Sequence, residues 1–179
     1  MDAEIPLRSW LDPRVAVRPS PIHGLGLFAL APLGLGEVVE VLGGSTLDDG
    51  EVRAMMERGE RYDGLVLGPG RSLRIEPDDW PGIHGNHSCH PNLWMAGAVT
   101  VIARFEIPAG AELTVDYALY TVSEWWAMPC ACGAALCHQV VTGSDWRLPE
   151  LQARYGGHFV PEVARRIGSL SLGSCKMGT

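Results

Sequence analysis

Three cysteines lie close together in the second half of the chain, in the stretch Cys130-Ala-Cys132-Gly133-Ala-Ala-Leu-Cys137. Gly133 lets the backbone turn back on itself, so the three sulfur atoms can point at one ion. Structural zinc sites are tetrahedral, closed to water and rich in thiolate ligands. The spacing therefore indicates a structural zinc site that is one ligand short.

The missing ligand is expected in the polar stretch GNHSCHPN, residues 85–92, which holds a single cysteine, Cys89. A thiol that is merely buried gives no reason for the neighbouring Asn, His and Ser residues, whereas a metal ligand in a turn fixed by Pro91 does. His138 and His90 are the alternatives, and Cys175 is disfavoured by its position in the C-terminal tail. The predicted zinc ligands are Cys89, Cys130, Cys132 and Cys137.

Composition limits the class of protein. The 179 residues, 46% hydrophobic and 20% charged, suffice for one compact domain with a hydrophobic core. The net charge of −7, to which Glu40 and Asp63 contribute, argues against direct nucleic-acid binding and favours a basic partner. The first residues show no signal-peptide pattern and no segment has the length of a membrane span, so no membrane association is expected. An odd number of cysteines, three of them clustered, fits metal ligation in a reducing compartment, and a cytoplasmic location is expected.

Glycine and proline recur every few residues through the first 130 positions, as in a chain of short strands and tight turns. Residues rich in β-branched side chains predict strands at Val15–Pro19, Leu25–Ala29, 37–42, 65–67, 73–76, 98–103 and 112–117. The Gly-Pro-Gly sequence at 68–70 predicts a hairpin turn. A helix is predicted over 47–58, with Asp48 and Asp49 at its N-terminal end and Gly59 as its stop.

The character of the sequence changes after Cys137. The stretches PELQARYGG and PEVARRIG each begin with a proline at a first helical position and end at glycine, which predicts two short helices. The last residues are small and polar, and 169–179 are predicted to be a disordered tail.

Four motifs together carry a resemblance to a known family: HGLGLFA at 23–29, GNHSCHPN at 85–92, AGAELTVDY at 109–117 and CACGAALC at 130–137. In this order and spacing they resemble a SET domain followed by its post-SET cysteine motif, as in a small stand-alone, bacterial-type member. The likeness covers about residues 14 to 143. It implies a SET domain at 14–124, a post-SET zinc-binding segment at 125–143 and a helical extension at 144–168.

The resemblance implies a mainly β fold with short helices, in which several small antiparallel sheets surround a pseudoknot of the 85–92 and 112–117 segments. It also implies transfer of a methyl group from S-adenosylmethionine to a lysine side-chain amine of a protein. Cofactor and substrate would enter a narrow channel from opposite faces.

The family's functional residues are carried over one at a time. Close backbone approach to the cofactor is implied at Gly24, Leu25 and Gly26, where two glycines avoid a Cβ clash. Asn86 and His87 resemble the pair that grips the adenine and orders the pseudoknot, through their side chains beside main-chain donors. Aromatic cofactor contacts are implied at Tyr62 and, just before the cysteine cluster, at Trp126 or its neighbour Trp125.

Tyr117 is the candidate catalytic residue. Methyl transfer needs a neutral amine, whereas a free lysine has a pKa near 10.4 and is charged at neutral pH. A desolvated pocket beside a positive sulfonium lowers that pKa, and a phenol could orient the amine. Tyr120 is a possible second aromatic of the channel wall.

Three departures from the family pattern bear on the substrate. The Arg and aromatic residue that commonly precede the Asn-His pair are replaced by Ile83-His84-Gly85, and Val115 stands where Tyr or Phe is usual. His138-Gln139 replaces the usual basic residue and glycine after the cysteines. A SET scaffold acting on a small-molecule amine or doing other chemistry, and a non-catalytic zinc-stabilised interaction module, are therefore the alternative functions.

Overall fold

The computed structural model describes residues 5–60, 62–75 and 80–174. Thirteen short strands and three α-helices are present in this part of the chain. The strands are β1 (Trp10–Leu11), β2 (Val15–Pro19), β3 (Leu25–Ala29), β4 (Val38–Val41), β5 (Gly44–Asp48), β6 (Gly64–Gly68), β7 (Arg71–Ile75), β8 (Asn86–His87), β9 (Leu93–Ala96), β10 (Thr100–Ala103), β11 (Glu112–Val115), β12 (Ala127–Pro129) and β13 (Val140–Thr142). The helices are α1 (Asp49–Glu57), α2 (Pro149–Tyr155) and α3 (Pro161–Ser174).

The strands form four small sheets, with the orders β1-β4-β10-β9, β2-β3-β11-β8, β5-β7-β6 and β12-β13. Every pairing is antiparallel except that of β8 with β11. In that pair Thr114 lies opposite Asn86, and Val115 lies opposite His87. The mainly antiparallel β architecture expected from the sequence is therefore confirmed.

The two segments expected to form the pseudoknot lie side by side. Besides the β8–β11 pairing, Asn92 joins them with both ends of its amide: its Nδ2 donates to the Glu112 carbonyl at 2.7 Å, and its Oδ1 accepts from the Thr114 backbone N–H at 2.8 Å. An asparagine side chain thus satisfies backbone groups that a two-residue strand leaves unpaired.

Helix α1 begins where the acidic residues predicted. The Asp48 carboxylate accepts the Glu51 backbone N–H at 2.9 Å, and the Glu51 carboxylate accepts the Asp48 backbone N–H at 2.8 Å. This reciprocal capping box satisfies two N–H groups at the helix start. Gly59, with φ of +71°, ends the helix in a conformation that favours glycine. Leu47, predicted to be helical, lies in β5 instead.

The C-terminal extension forms both predicted helices, and the second is longer than predicted. Helix α3 continues to Ser174, within the stretch 169–179 that the sequence predicts to be a disordered tail, and the rest of that stretch lies outside the described residues. The extension buries six side chains in the common core: Trp146, Leu151, Tyr155, Phe159, Val160 and Val163. This burial of apolar side chains stabilises the two helices of the extension.

No helix within the described ranges has both the length and the apolar character needed to cross a membrane.

Candidate functional site

A cavity of about 1060 Å³ lies between the sheets. Its wall includes residues of the pseudoknot, of the β5-β7-β6 sheet and of the segment that precedes the cysteine cluster. Five aromatic side chains face it: Tyr62, Tyr117, Tyr120, Trp125 and Trp126. Cavities of this size that combine apolar walls with a few polar groups are the usual form of a small-molecule site.

Tyr117 lies at the cavity wall directly after β11. Asp116 caps the short 3₁₀ turn Tyr117–Leu119 by accepting the Ala118 backbone N–H at 2.9 Å. The Tyr117 hydroxyl donates to the Gly85 carbonyl at 3.0 Å. Burial, and secondarily the charge of Asp63, raises the Tyr117 pKa to about 12. The phenol is therefore neutral at physiological pH and acts as a hydrogen-bond donor.

Tyr62 and Trp126, the aromatic residues for which the resemblance implies cofactor contacts, also face the cavity. The Trp126 ring lies 6.0 Å from the Tyr117 ring, centroid to centroid. The Tyr62 hydroxyl donates to the Leu73 carbonyl at 3.3 Å, and burial raises its pKa. Trp125, by contrast, is 68% exposed and lies at the cavity rim.

The predicted contacts at Gly24, Leu25, Gly26 and Asn86 form a separate cluster beside the cavity. The Asn86 Nδ2 lies within hydrogen-bonding distance of the His23 and Leu25 carbonyls and of the Glu112 carboxylate. A Cβ at Gly26 would overlap that same carboxylate, which explains the glycine by internal packing. The Asn86 side chain therefore holds the glycine loop. Gly24, Leu25, Gly26 and Asn86 do not themselves line the cavity, whereas their chain neighbours Leu27 and Gly85 do.

His87 is buried, and both of its ring nitrogens contact other parts of the site. The Tyr117 backbone N–H donates to His87 Nδ1 at 3.3 Å, which places the ring proton on Nε2. Nε2 lies 3.3 Å from Cys89 Sγ and donates to it. Burial lowers the His87 pKa and keeps the ring neutral. The imidazole thus links the Tyr117 turn to the cysteine cluster through both of its ring nitrogens.

The four predicted metal ligands come together. The sulfur atoms of Cys89, Cys130, Cys132 and Cys137 all lie within 4.8 Å of one another. Neither His138 nor His90 belongs to this group. Three backbone N–H groups point at these sulfurs: those of Cys89, His138 and Gln139 approach Cys132, Cys89 and Cys137 at 3.5, 3.5 and 3.4 Å. Such donors stabilise thiolate charge, so the cluster could hold a metal ion.

A hairpin presents three of these cysteines. Strands β12 and β13 pair from Ala127 opposite Thr142 to Pro129 opposite Val140. The cysteine loop lies between these two strands, and the Cys130 backbone N–H donates to the Gln139 carbonyl at 2.8 Å. Gly133, with φ of +70°, makes the turn that the sequence predicted. The hairpin fixes the loop ends, and the single cysteine of the pseudoknot closes the set.

Glu40 is a site residue that the sequence did not reveal. From sequence it counts only toward the net negative charge, but in the structure it is 7% exposed and faces the cavity. Its carboxylate accepts from Trp80 Nε1 at 2.8 Å, and no basic side chain of the described residues pairs with it. Burial raises the Glu40 pKa to about 7. The feature of the sequence that could have indicated its burial is a single carboxylate within the otherwise apolar strand sequence Val-Val-Glu-Val.

The residues before Asn86 pack on this carboxylate. Residues Pro81–His84 form a 3₁₀ turn, and a Cβ at Gly82 would overlap both Glu40 Oε1 and Trp80 Nε1. Gly82 and Ile83 of this turn line the cavity together with Val115.

Comparison with known proteins identifies the family. Residues 24–118 match the family model described as SET domain, more than half of the chain. The chain therefore belongs to the SET domain family. The methyltransferase domain of human histone-lysine N-methyltransferase SETMAR has a similar fold, with a TM-score of 0.58, 22% identity, and coverage of 72% of this chain and 58% of that one.

Two curated relatives are similar in sequence. Human histone-lysine N-methyltransferase 2B is 31% identical over 144 residues, which is 70% of this chain and 5% of the relative. The Arabidopsis thaliana histone H3-lysine(4) N-trimethyltransferase ATX1 is 27% identical over 158 residues, 78% of this chain and 14% of the relative. The chain thus spans a small part of the length of either relative.

Proposed function

We propose that this chain transfers a methyl group from S-adenosylmethionine to the side-chain amine of a lysine in a basic protein. Family membership supports the reaction class, and the names of both relatives describe histone-lysine methyl transfer. One observation carries the proposal: a neutral tyrosine hydroxyl, Tyr117, lies at the wall of a large aromatic cavity directly beside the pseudoknot.

The cavity suits the cofactor. Its volume of about 1060 Å³ exceeds the need of one small ligand, which leaves room for the end of a lysine side chain. Trp126 and Tyr62 offer aromatic faces on which an adenine can stack, and Gly85 brings backbone groups of the pseudoknot to the wall. When bound, S-adenosylmethionine supplies an electrophilic methyl group. The Gly24 loop would reach it through main-chain groups near Leu27.

Tyr117 orients the substrate and does not act as its base. A phenol with a pKa of about 12 does not accept a proton at neutral pH, because its conjugate base is scarcely populated. The lysine amine must lose its proton before it can attack. Burial between Val115 and the aromatic walls disfavours the ammonium form, so the proton leaves to solvent as the side chain enters. Alignment of the neutral amine then supplies much of the acceleration.

The same proposal includes a structural zinc ion on Cys89, Cys130, Cys132 and Cys137. Four thiols within 4.8 Å of one another match the closed all-sulfur site that zinc prefers. The ion would fix the hairpin that carries Trp126 against the pseudoknot that carries Cys89. Zinc would therefore complete one wall of the cavity.

Charge favours a basic protein as substrate. The net charge is −7, and acidic side chains at the cavity include Asp49, Glu57 and Asp63. The small side chain of Val115 leaves space that a branched or bulkier amine could also use. A small-molecule amine is therefore the second candidate substrate. The location of the protein in the cytoplasm stays a prediction.

Tyr117→Phe tests the assignment. Zinc-loaded wild type and variant are incubated with radiolabelled S-adenosylmethionine and either a pool of lysine-containing basic peptides or a set of small amines. We expect transfer to the peptides by wild type, a loss of about 100-fold or more in the variant, and unchanged cofactor affinity. Full turnover in the variant would remove Tyr117 from its role, and labelling of the amines alone would favour the second substrate class.

A further inference from the structure

We propose that Tyr155, in the C-terminal extension, is a positioning residue that holds the catalytic turn, Tyr117–Leu119, through Asp116. Its neighbour Arg154 holds the loop of Cys89 from the same end of helix α2. This inference rests on the proposed function, because it takes Tyr117 as the catalytic residue. It concerns helix α2, which lies outside the residues that match the family model.

The contact to the catalytic turn is a buried hydrogen bond. The Tyr155 hydroxyl donates to Asp116 Oδ2 at 2.7 Å, while Asp116 Oδ1 accepts the Ala118 backbone N–H. The two side chains are almost inaccessible: Tyr155 is 1% exposed and Asp116 is 2% exposed. One carboxylate thus joins α2 to the turn that begins at Tyr117. A buried carboxylate needs such donors, and the loss of one leaves it incompletely satisfied.

The second contact comes from the adjacent residue. Arg154 Nη1 donates to the Cys89 carbonyl at 2.8 Å, in the loop that supplies the fourth thiol. Cys89 in turn is contacted by His87 Nε2, and His87 Nδ1 accepts the Tyr117 backbone N–H. These contacts form a closed ring that passes through α2, the turn that begins at Tyr117, and the pseudoknot segment that carries His87 and Cys89.

The ring gives Tyr155 a role that packing alone does not explain. A phenylalanine would fill the same core space and keep the edge contact with the Phe159 ring, whose centroid lies 5.9 Å away. Only the hydroxyl reaches Asp116. Tyr155→Phe keeps the shape of the side chain and removes only its hydroxyl. This substitution therefore separates the positioning role of Tyr155 from its contribution to the core.

The test compares Tyr155→Phe with Val163→Ala, a matched control. Val163 is fully buried in the same extension, and its side chain has no polar group, so its truncation lowers global stability without touching Asp116. Both zinc-loaded variants and wild type are examined by amide hydrogen exchange, which follows the backbone N–H groups of Tyr117 and Ala118. Steady-state kinetics then give kcat and KM for S-adenosylmethionine and the basic peptide pool.

We expect Tyr155→Phe to lose about tenfold of the exchange protection at Ala118, the factor that one hydrogen bond to a charged group implies. Its kcat should fall by about 10- to 100-fold with little change in either KM, as for a misplaced reacting group. Val163→Ala should lower the melting temperature with neither local effect. Unchanged protection in Tyr155→Phe, equal loss in both variants, or an unchanged kcat would overturn the proposal. If wild type transfers no methyl group, the proposed function fails, and the exchange data still decide whether Tyr155 holds the turn.

Discussion

Glu40→Gln should raise the free energy of unfolding strongly at pH 8 and only slightly at pH 5. The buried carboxyl has one described partner, Trp80 Nε1, and burial raises its pKa from an ordinary 4.5 to about 7. Glutamine keeps the shape and can keep the oxygen that accepts from Trp80. The substitution therefore removes the ionisation and little else.

The sign follows from proton binding. Between about pH 4.5 and pH 7 the folded state keeps a proton on Glu40 that the unfolded state has lost, so stability falls as pH rises through this window. Each pH unit corresponds to about 1.4 kcal/mol, so the full penalty is about 3 kcal/mol above pH 7. Most of it, about 2 to 3 kcal/mol, should develop between pH 5 and pH 8.

Urea unfolding of zinc-loaded wild type and Glu40→Gln at pH 5 and pH 8 measures this difference. Any pH dependence of the cysteine cluster is common to both proteins and cancels. Glu37→Gln is the matched control: Glu37 is exposed, its pKa is lowered by the Gly34 N–H and by Arg14, and its removal should change stability in the opposite direction. A difference between wild type and Glu40→Gln that is the same at both pH values would refute the view of Glu40 as a buried carboxyl without a cationic partner.

Three further changes test separate parts of the structure. Cys89→Ser should weaken zinc binding at least tenfold in a chelator competition, whereas Cys175→Ser should leave it unchanged. Equal zinc affinities of the two variants would remove Cys89 from the ligand set. Gly26→Ala should cost about 1 to 3 kcal/mol in the free energy of unfolding, because its methyl group meets the Glu112 carboxylate, and Gly157→Ala, which faces open space, should cost less. Asp48→Ala should cost about 1 kcal/mol through loss of the capping box, and a thermal shift no larger than that of Glu57→Ala would contradict this role.

Local chemistry made several elements predictable from sequence. Val15–Pro19 and Leu25–Ala29 form strands with the predicted limits, because alternating apolar residues between turn formers leave few alternatives. The four-cysteine set was predictable because a tetrahedral site has a fixed ligand number, which made Cys89 the missing member.

Other features depend on tertiary contacts that no local pattern records. The parallel pairing of Asn86 with Thr114 joins strands of two residues and four residues, too short to show periodicity. The Asn86 side chain contacts Glu112, and the His87 ring contacts Cys89 and the Tyr117 backbone N–H. These contacts depend on how the pseudoknot brings the segments together, which the local sequence does not record. The burial of Glu40 likewise depends on Trp80 and Gly82 packing over it.

The central claim is that the aromatic cavity binds S-adenosylmethionine for transfer to a lysine amine. Calorimetric titration of the cofactor into zinc-loaded protein, alone and with the pool of basic peptides, tests it most directly. We predict saturable one-to-one binding that Asn86→Ala weakens, because Asn86 holds the glycine loop beside the cavity. No binding in either condition would contradict the account and favour a zinc-stabilised interaction module.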